Sequence, residues 1–298
     1  MIPSSFDYVA PASLDEAVAL LRAHDDAKVL SGGQSLIPML KLRLAAPALL
    51  VDINRIPNLG YVEERDGALR IGALARESDI EGAAVVRERY PILLDTARVI
   101  ADPLVRNSAT VCGNVAHGDP GNDHPATMLA VDAEIVARGP NGTRTIPARD
   151  FFVGLFETAL ASDEIVTEIA VPTPLPRTGG AYFKLERKVG DYATAAVAVQ
   201  VTLDERGGCA RVGIGLTNVG PTAIKAVRAE SFLLHKPLDA ETIAEAARLA
   251  AADAEPVGDR RGTAEYKRDV VRVLAARALR LAARRARGLD IPSTAGRA

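Results

Sequence analysis

A chain of 298 residues, 48% of them apolar, is long enough for one large or two ordinary domains with real cores. A formal charge of −2 and an isoelectric point near 6.1 leave no electrostatic footprint for nucleic acid or another polyanion. Two cysteines, Cys112 and Cys209, are too few for a disulfide framework or for the four thiolates of an iron–sulfur cluster. The start, "MIPSSFDYVAPAS", lacks the charged-then-apolar order of a signal peptide. The most apolar window, 36–53, is interrupted by Lys41, Arg43 and Pro47. No membrane span and a cytoplasmic location are therefore expected.

The first ~55 residues alternate helix and strand patterns. "SLDEAVALLRAHD" places Leu14, Val18 and Leu21 at helical spacing, with Ser13 as N-cap and Glu16 completing a capping box. "AKVL" reads as a buried strand, "LIPMLKLRLA" as a helix with Pro38 in its first turn, and "ALLVDI" as a second strand. Together they form a small βαβ-like unit. From 60 to 171 the sequence predicts strands at "GALRIGAL", "ATVCGNVA", "AEIVARG" and "EIVTEIAVP", with helices near 78–86 and 91–100. The proline- and glycine-rich "VPTPLPRTGG" (171–180) marks a domain boundary. An antiparallel run follows: "AYFKLERKV", "ATAAVAVQVTL", the turn "DERGG" and "CARVGIGLTNV". Three helices close the chain near 226–234, 239–252 and 263–287, with Asp239 and Thr263 as caps. Six arginines of the last helix, Arg272, Arg277, Arg280, Arg284, Arg285 and Arg287, read as its solvated face.

Two glycine corners carry the chemistry. Ser31-Gly32-Gly33-Gln34-Ser35 joins a strand to a helix with little side-chain bulk and many backbone N–H groups, which suits a phosphate or pyrophosphate. A tight turn explains the same glycines. In "RNSATVCGNVAHGDPGNDHPA" (106–126), Thr110-Val111 reads as a strand breaking at Gly113-Asn114. A polar loop with His117, Asp119, Asn122, Asp123 and His124 follows. Two such corners point to one shared anionic ligand. Metal coordination by His117, Asp119, Asp123 and His124 is the rival, although the loop lacks the helical histidine spacing of zinc sites. The first corner is neither a Walker A loop nor a Rossmann fingerprint.

"SGGQSLIPMLKLRLA" and "TVCGNVAHGDPGND", in this order, resemble the two flavin motifs of the medium, FAD-binding subunit of molybdenum hydroxylases. This is the carbon monoxide dehydrogenase medium-chain / xanthine dehydrogenase FAD-subunit family. "FFVGLFETALASDEIVTEIAVP" and "AYFKLERKVGDYATAAVAV" extend the resemblance over nearly the whole chain. It implies an α+β protein with two parts. Residues 1–175 would be a two-lobed FAD-binding domain of the vanillyl-alcohol-oxidase (PCMH) type, with lobes of about 1–55 and 56–175. Residues 176–290 would be a three-strand, three-helix domain of the CO dehydrogenase flavoprotein type.

Carried over residue by residue, the resemblance implies that Lys28, Val29, Ser31, Gly32, Gly33, Gln34, Ser35 and Leu36 wrap the pyrophosphate. Ile100, Ala101, Thr110, Gly113, Asn114, His117 and Asp123 would hold the ribityl, pyrophosphate and adenosine portions, Asp123 suiting a ribose hydroxyl. Ile165, Val166, Lys184, Asp191 and Tyr192 would lie near the isoalloxazine ring, where Lys184 would stabilise the charge gained on reduction. Without the resemblance, Lys184 reads as an exposed strand lysine and Tyr192 as a packing aromatic. Two positions depart from the pattern. Cys112 stands where the family has a further glycine, and Ser108-Ala109 replace Arg-Gly.

The implied function is a non-covalent FAD subunit of a molybdenum hydroxylase. It would take electrons from partner [2Fe–2S] clusters and pass them to an external acceptor. A large subunit would carry molybdopterin, a small subunit the clusters, and the whole would be a dimer of heterotrimers. Two alternatives stay open: a stand-alone flavin oxidase of the same fold, which would need an acid/base residue beside the flavin, and a non-catalytic nucleotide-binding assembly module, which would lack flavin absorbance.

Overall fold

The computed structural model describes residues 2–289, so the expected domain end at 290 lies outside the described residues. The first lobe is a three-stranded parallel sheet in the order Asp7–Val9, Leu49–Asp52, Ala27–Leu30. Helix Leu14–Ala23 packs Ala17, Val18 and Leu21 into its core. Ser13 Oγ accepts from Glu16 N at 3.2 Å, and Glu16 reaches back to Ala12 N at 2.9 Å. The reciprocal cap is thus displaced by one residue on its second arm. Helix Leu36–Leu42 carries Pro38 where its missing N–H costs nothing, and it ends at Arg43 with φ 58°. Strand Asp7–Val9 has no apolar alternation and is not legible in the sequence.

The second lobe is a five-stranded antiparallel sheet. Its order is Val62–Arg65, Ala68–Gly72, Ile165–Pro172, Glu134–Gly139, Gly142–Pro147. The last of these in sequence, Ile165–Pro172, is the central strand, and its Ile165, Val166, Ile169, Ala170 and Val171 are all buried. Helices Glu77–Gly82, Ala84–Arg89, Pro91–Arg98 and Asp123–Ala130 cover this sheet through Ile80, Val86, Ile92, Leu93 and Met128. The helix expected near 78–86 is therefore two helices meeting at Ala83.

One expected strand is a helix. "ATVCGNVA" folds as helix Val111–Ala116, and Thr110 makes only an isolated bridge with Arg76. Thr110 Oγ1 accepts from Gly113 N at 3.1 Å, so its hydroxyl acts as an N-cap and outweighs the β-branched pair. The polar loop is also shorter than expected, because Asp123 and His124 already belong to a buried helix.

The C-terminal sheet comprises Thr178–Leu185, Ala195–Leu203 and Cys209–Thr217, with the two-residue strand Ile224–Lys225 added at one edge. Helices Val227–Leu233, Ala240–Asp253 and Ala264–Ala286 follow, the last two capped by Asp239 and Thr263. Both faces of this sheet are covered. Val197, Val199 and Val201 face the C-terminal helices, while Ala196 and Ala198 face the helices of the second lobe. Gly179 and Gly180 already belong to strand Thr178–Leu185. A Cβ at Gly179 would overlap Ala282 O, and one at Gly180 would lie 2.9 Å from Ile92 Cβ. Gly213 and Gly215 similarly admit the backbone of Ala130 and Ala126. Arg285 also departs from its expected place on the solvated face. Its Nη1 donates to Asp95 Oδ2 at 2.6 Å, and both side chains are buried between the domains. Among the described residues no helix is long and apolar enough to cross a membrane.

Candidate cofactor-binding site

The two glycine corners touch. The hydroxyls of Ser31 and Thr110 share a hydrogen bond at 3.1 Å, and a Cβ at Gly32 would overlap Ser108 O. Glycine at 32 is thus required by the second corner, whereas Gly33 is required by its own φ of 72°. Among the described residues nothing accepts from the backbone N–H groups of Gly32 through Leu36, and Ser35 provides no side-chain cap. Asn54 Nδ2 donates to Ser31 O at 2.9 Å. Because a trans peptide carries N–H opposite C=O, that bond turns the Gly32 N–H away from Asn54. Arg76 fixes the amide: Nη2 donates to Asn54 Oδ1 and Nη1 to Ser108 O, each at 2.6 Å. Neither Asn54 nor Arg76 is legible from the motifs, since each lies outside them.

In the second corner, Cys112 turns inward. Its Sγ lies 3.5 Å from Ile71 O, and burial pushes the thiol pKa up. The side chain that replaces the family's glycine therefore enters the core and leaves the corner's outer surface clear. Asn122 Nδ2 donates to Asn114 O at 2.8 Å, while Asn114 Oδ1 is buried with no partner. His117 lies against Phe156 with ring centroids 5.2 Å apart, and burial lowers its pKa against a smaller opposing pull from Asp119. The four residues weighed as metal ligands have separate partners. Asp119 accepts from Gly121 N, His124 Nε2 meets Glu77 Oε2 at 2.7 Å, and Asp123 turns towards the C-terminal domain.

That last contact brings Asp123 and Lys184 together. Lys184 is 3% exposed, so its reading as a surface strand residue fails. Its Nζ donates to Asp123 Oδ2 at 2.9 Å and to Val99 O at 3.2 Å. Tyr182 OH donates to Asp123 Oδ1 at 2.6 Å and lies 3.2 Å from Thr217 Oγ1. Burial and the Asp123 charge push the Tyr182 pKa far up, which keeps the phenol a donor. Tyr182 and Thr217 were not sequence candidates. The signal is the period-two alternation of their strands, which puts Tyr182 beside Lys184 on the face towards the second lobe.

The remaining candidates are distributed around these contacts. Ile100 and Ala101 follow Val99, and Ala101 meets Gly190 of the 188–192 loop. In that loop, burial raises the Asp191 pKa, but hydrogen bonds from Arg261 and Arg187 outweigh it and hold the carboxyl below its usual value. Tyr192 is partly exposed against Gly121 of the second motif. Ile165 and Val166 begin the central strand, and their side chains enter the cores of the first and second lobes respectively. Lys28 is exposed on strand Ala27–Leu30, half-buried Val29 adjoins it, and Gln34 is exposed at the corner. A run of unpaired N–H donors beside an orphaned amide oxygen fits a ligand with both phosphate oxygens and hydroxyl groups. FAD is such a ligand.

The sequence model of the FAD binding domain in molybdopterin dehydrogenase matches residues 4–174, and that of the CO dehydrogenase flavoprotein C-terminal domain matches 180–282. The carbon monoxide dehydrogenase medium chain of Hydrogenophaga pseudoflava is 47% identical over 283 residues, 95% of this chain and 98% of that one. The medium chain from Afipia carboxidovorans is 43% identical over 288 residues, covering 96% and 100%. A solved structure of the H. pseudoflava carbon monoxide dehydrogenase, lacking the Mo-pyranopterin moiety, superposes with a TM-score of 0.92 at 48% identity. It covers 95% of this chain and 98% of its own. Two matched domains, together spanning both corners and the sheet that buries Lys184, settle the ancestry: the chain belongs to the family of FAD-binding medium chains of molybdopterin dehydrogenases.

Proposed function

We propose that this chain is the electron-transfer subunit of a molybdenum hydroxylase, receiving electrons from partner [2Fe–2S] clusters and delivering them to an external acceptor. The observation that carries the reading is the run of unpaired N–H groups from Gly32 to Leu36 beside Thr110 and the orphaned Asn114 oxygen. When bound, FAD supplies two-electron and one-electron redox chemistry. The chain's own residues bind and orient it. The corner amides and the hydroxyls of Ser31, Ser35 and Thr110 take the pyrophosphate, Asn114 with the 100–101 segment the ribityl and adenosine portions, and Tyr192 lies near the ring. Lys184 keeps a buried positive charge behind that segment, paired with Asp123.

Two cysteines leave the clusters to a small partner subunit, and the molybdopterin to a large one. The complex is a dimer of heterotrimers in the cytoplasm. Residues 1–175 form the two-lobed vanillyl-alcohol-oxidase type of flavin domain, with lobes meeting near 55, and 176–290 form the C-terminal domain. The buried ionisable groups near the corners pair with one another, Asp123 with Lys184 and Glu77 with His124, which favours electron transfer over a stand-alone oxidase. Denaturing the purified chain should release free FAD, and substrate should reduce the flavin only after the molybdenum and iron–sulfur subunits are added. Turnover by the chain alone at ~1–10³ s⁻¹ would establish the oxidase instead.

A further inference from the structure

Ala101 has φ of 44°, a left-handed conformation unfavourable for any residue that carries a Cβ. Its surroundings show what enforces it. Arg106 Nη1 donates to Ile100 O at 2.9 Å and reaches Ala101 O at 3.5 Å. The same guanidinium is anchored through Nε on Glu81 Oε2 at 2.9 Å. Lys184 Nζ takes Val99 O, and Gly190 closes on Ala101 so tightly that a Cβ there would stand 2.9 Å from Ala101 O. Three successive carbonyls are thus drawn towards two cations. Drawing Ile100 O to Arg106 turns the Ala101 N–H the opposite way, because the two belong to one trans peptide. No acceptor among the described residues takes that N–H.

We propose that Arg106 is a positioning residue for the flavin: by holding the Ile100 and Ala101 carbonyls it keeps Ala101 left-handed and presents the Ala101 N–H as a donor to the cofactor. The inference rests on the FAD-binding reading above. Arginine suits the task because its rigid fork bonds Glu81 and a carbonyl at once, which a lysine ammonium on a flexible stem does not reproduce. Arg106 opens the second corner's stretch but is not among the residues that the resemblance assigns to the cofactor, and strain at a ligand-binding segment needs such an enforcing group.

The test is a double-mutant cycle on the full chain, with FAD affinity of the apoprotein measured by flavin fluorescence and folding by thermal unfolding. Arg106→Leu should weaken FAD binding by about 10–100-fold, the loss of a charged hydrogen-bond donor's effect on the segment. In an Ala101→Gly background the same substitution should cost at least about fivefold less, since glycine adopts this φ without enforcement. If Arg106→Leu does not fold, Arg106→Lys carries the same cycle, with a smaller loss expected. Unchanged affinity on replacing Arg106 overturns the proposal. So does a loss equal in both backgrounds, which would make Arg106 only an anchor for Glu81. A parent chain that binds no FAD overturns the functional reading and this proposal with it, whereas an FAD-binding parent with indifferent variants overturns the proposal alone.

Discussion

From Gly32 to Leu36 successive backbone donors have no partner among the described residues, while Lys184, Asp123, Tyr182 and Thr217 bond one another in the closed interior. The first group costs little because Gly32 to Leu36 are half-buried or exposed and water reaches them. The second must be saturated, because a buried ion without a partner is expensive. Open donors are therefore where the proposed ligand would act, and the closed network is where folding stability resides. Substitutions at the two places should separate these effects.

Lys184→Met tests the closed side most severely. It leaves Asp123 buried with only Tyr182 as donor, so chemical denaturation should show a loss of roughly 3–5 kcal/mol. A loss below about 1 kcal/mol would mean that water enters the site and the contrast with the corner is false. Gly33→Val tests the open side. The substitution strains a backbone at φ 72° and meets only the side-chain ends of Ile37 and Leu30, so the chain should fold at a cost of about 1–2 kcal/mol. Its circular dichroism should be preserved while flavin absorbance is lost. Full FAD occupancy would reduce the corner to a turn.

Thr110→Ala sharpens the comparison, because this residue serves both sides at once. Its hydroxyl caps helix Val111–Ala116 and meets Ser31, so its removal should lower stability by about 1 kcal/mol and also weaken FAD binding. Equal stability of the variant in denaturant would show that the cap contributes nothing. A pH-dependent effect is expected at Glu230, where burial pushes the pKa from 4.5 up to about 7, against hydrogen bonding from Ile214 N and the Lys225 charge. A raised carboxyl pKa means that the folded state binds more protons than the unfolded one between those values. Stability from this group is present below pH 4.5 and declines as pH rises through 7. Glu230→Gln should flatten that decline, and denaturation midpoints from pH 4 to 8 would detect it.

Local chemistry was legible where its partners are near in sequence. Ser13, Asp239 and Thr263 each cap a helix by accepting from a donor three residues on. Thr110 obeys the same rule, but Val111 beside it favours a strand pattern, and the shorter-range hydroxyl bond prevails. Gly179 and Gly180 follow three prolines and read as part of a domain boundary, yet each admits a helix to one face of the sheet. The corners' glycines were legible as corners, but the division of labour between them was not. Gly32 serves the contact with Ser108, and Gly33 serves its own turn.

The sequence alone determined the helix caps, the two small corners, the alternation along Ala195–Leu203 and, through the paired motifs, the cofactor class. Each depends on groups a few residues apart, or on an order of motifs that the chain itself records. Only the tertiary structure decided that Ser31 meets Thr110, that Arg106 and Lys184 converge on the 99–101 carbonyls, and that Lys184 is buried. Ser31 and Thr110 are 79 residues apart, and Lys184 lies 85 residues from Val99. Ser31 and Thr110 meet only when the first lobe docks on the second, and Lys184 reaches Val99 only when the C-terminal sheet closes over the second lobe. Burial then makes pairing obligatory for Lys184 and Asp123, a demand that neither residue carries in its own neighbourhood of the chain.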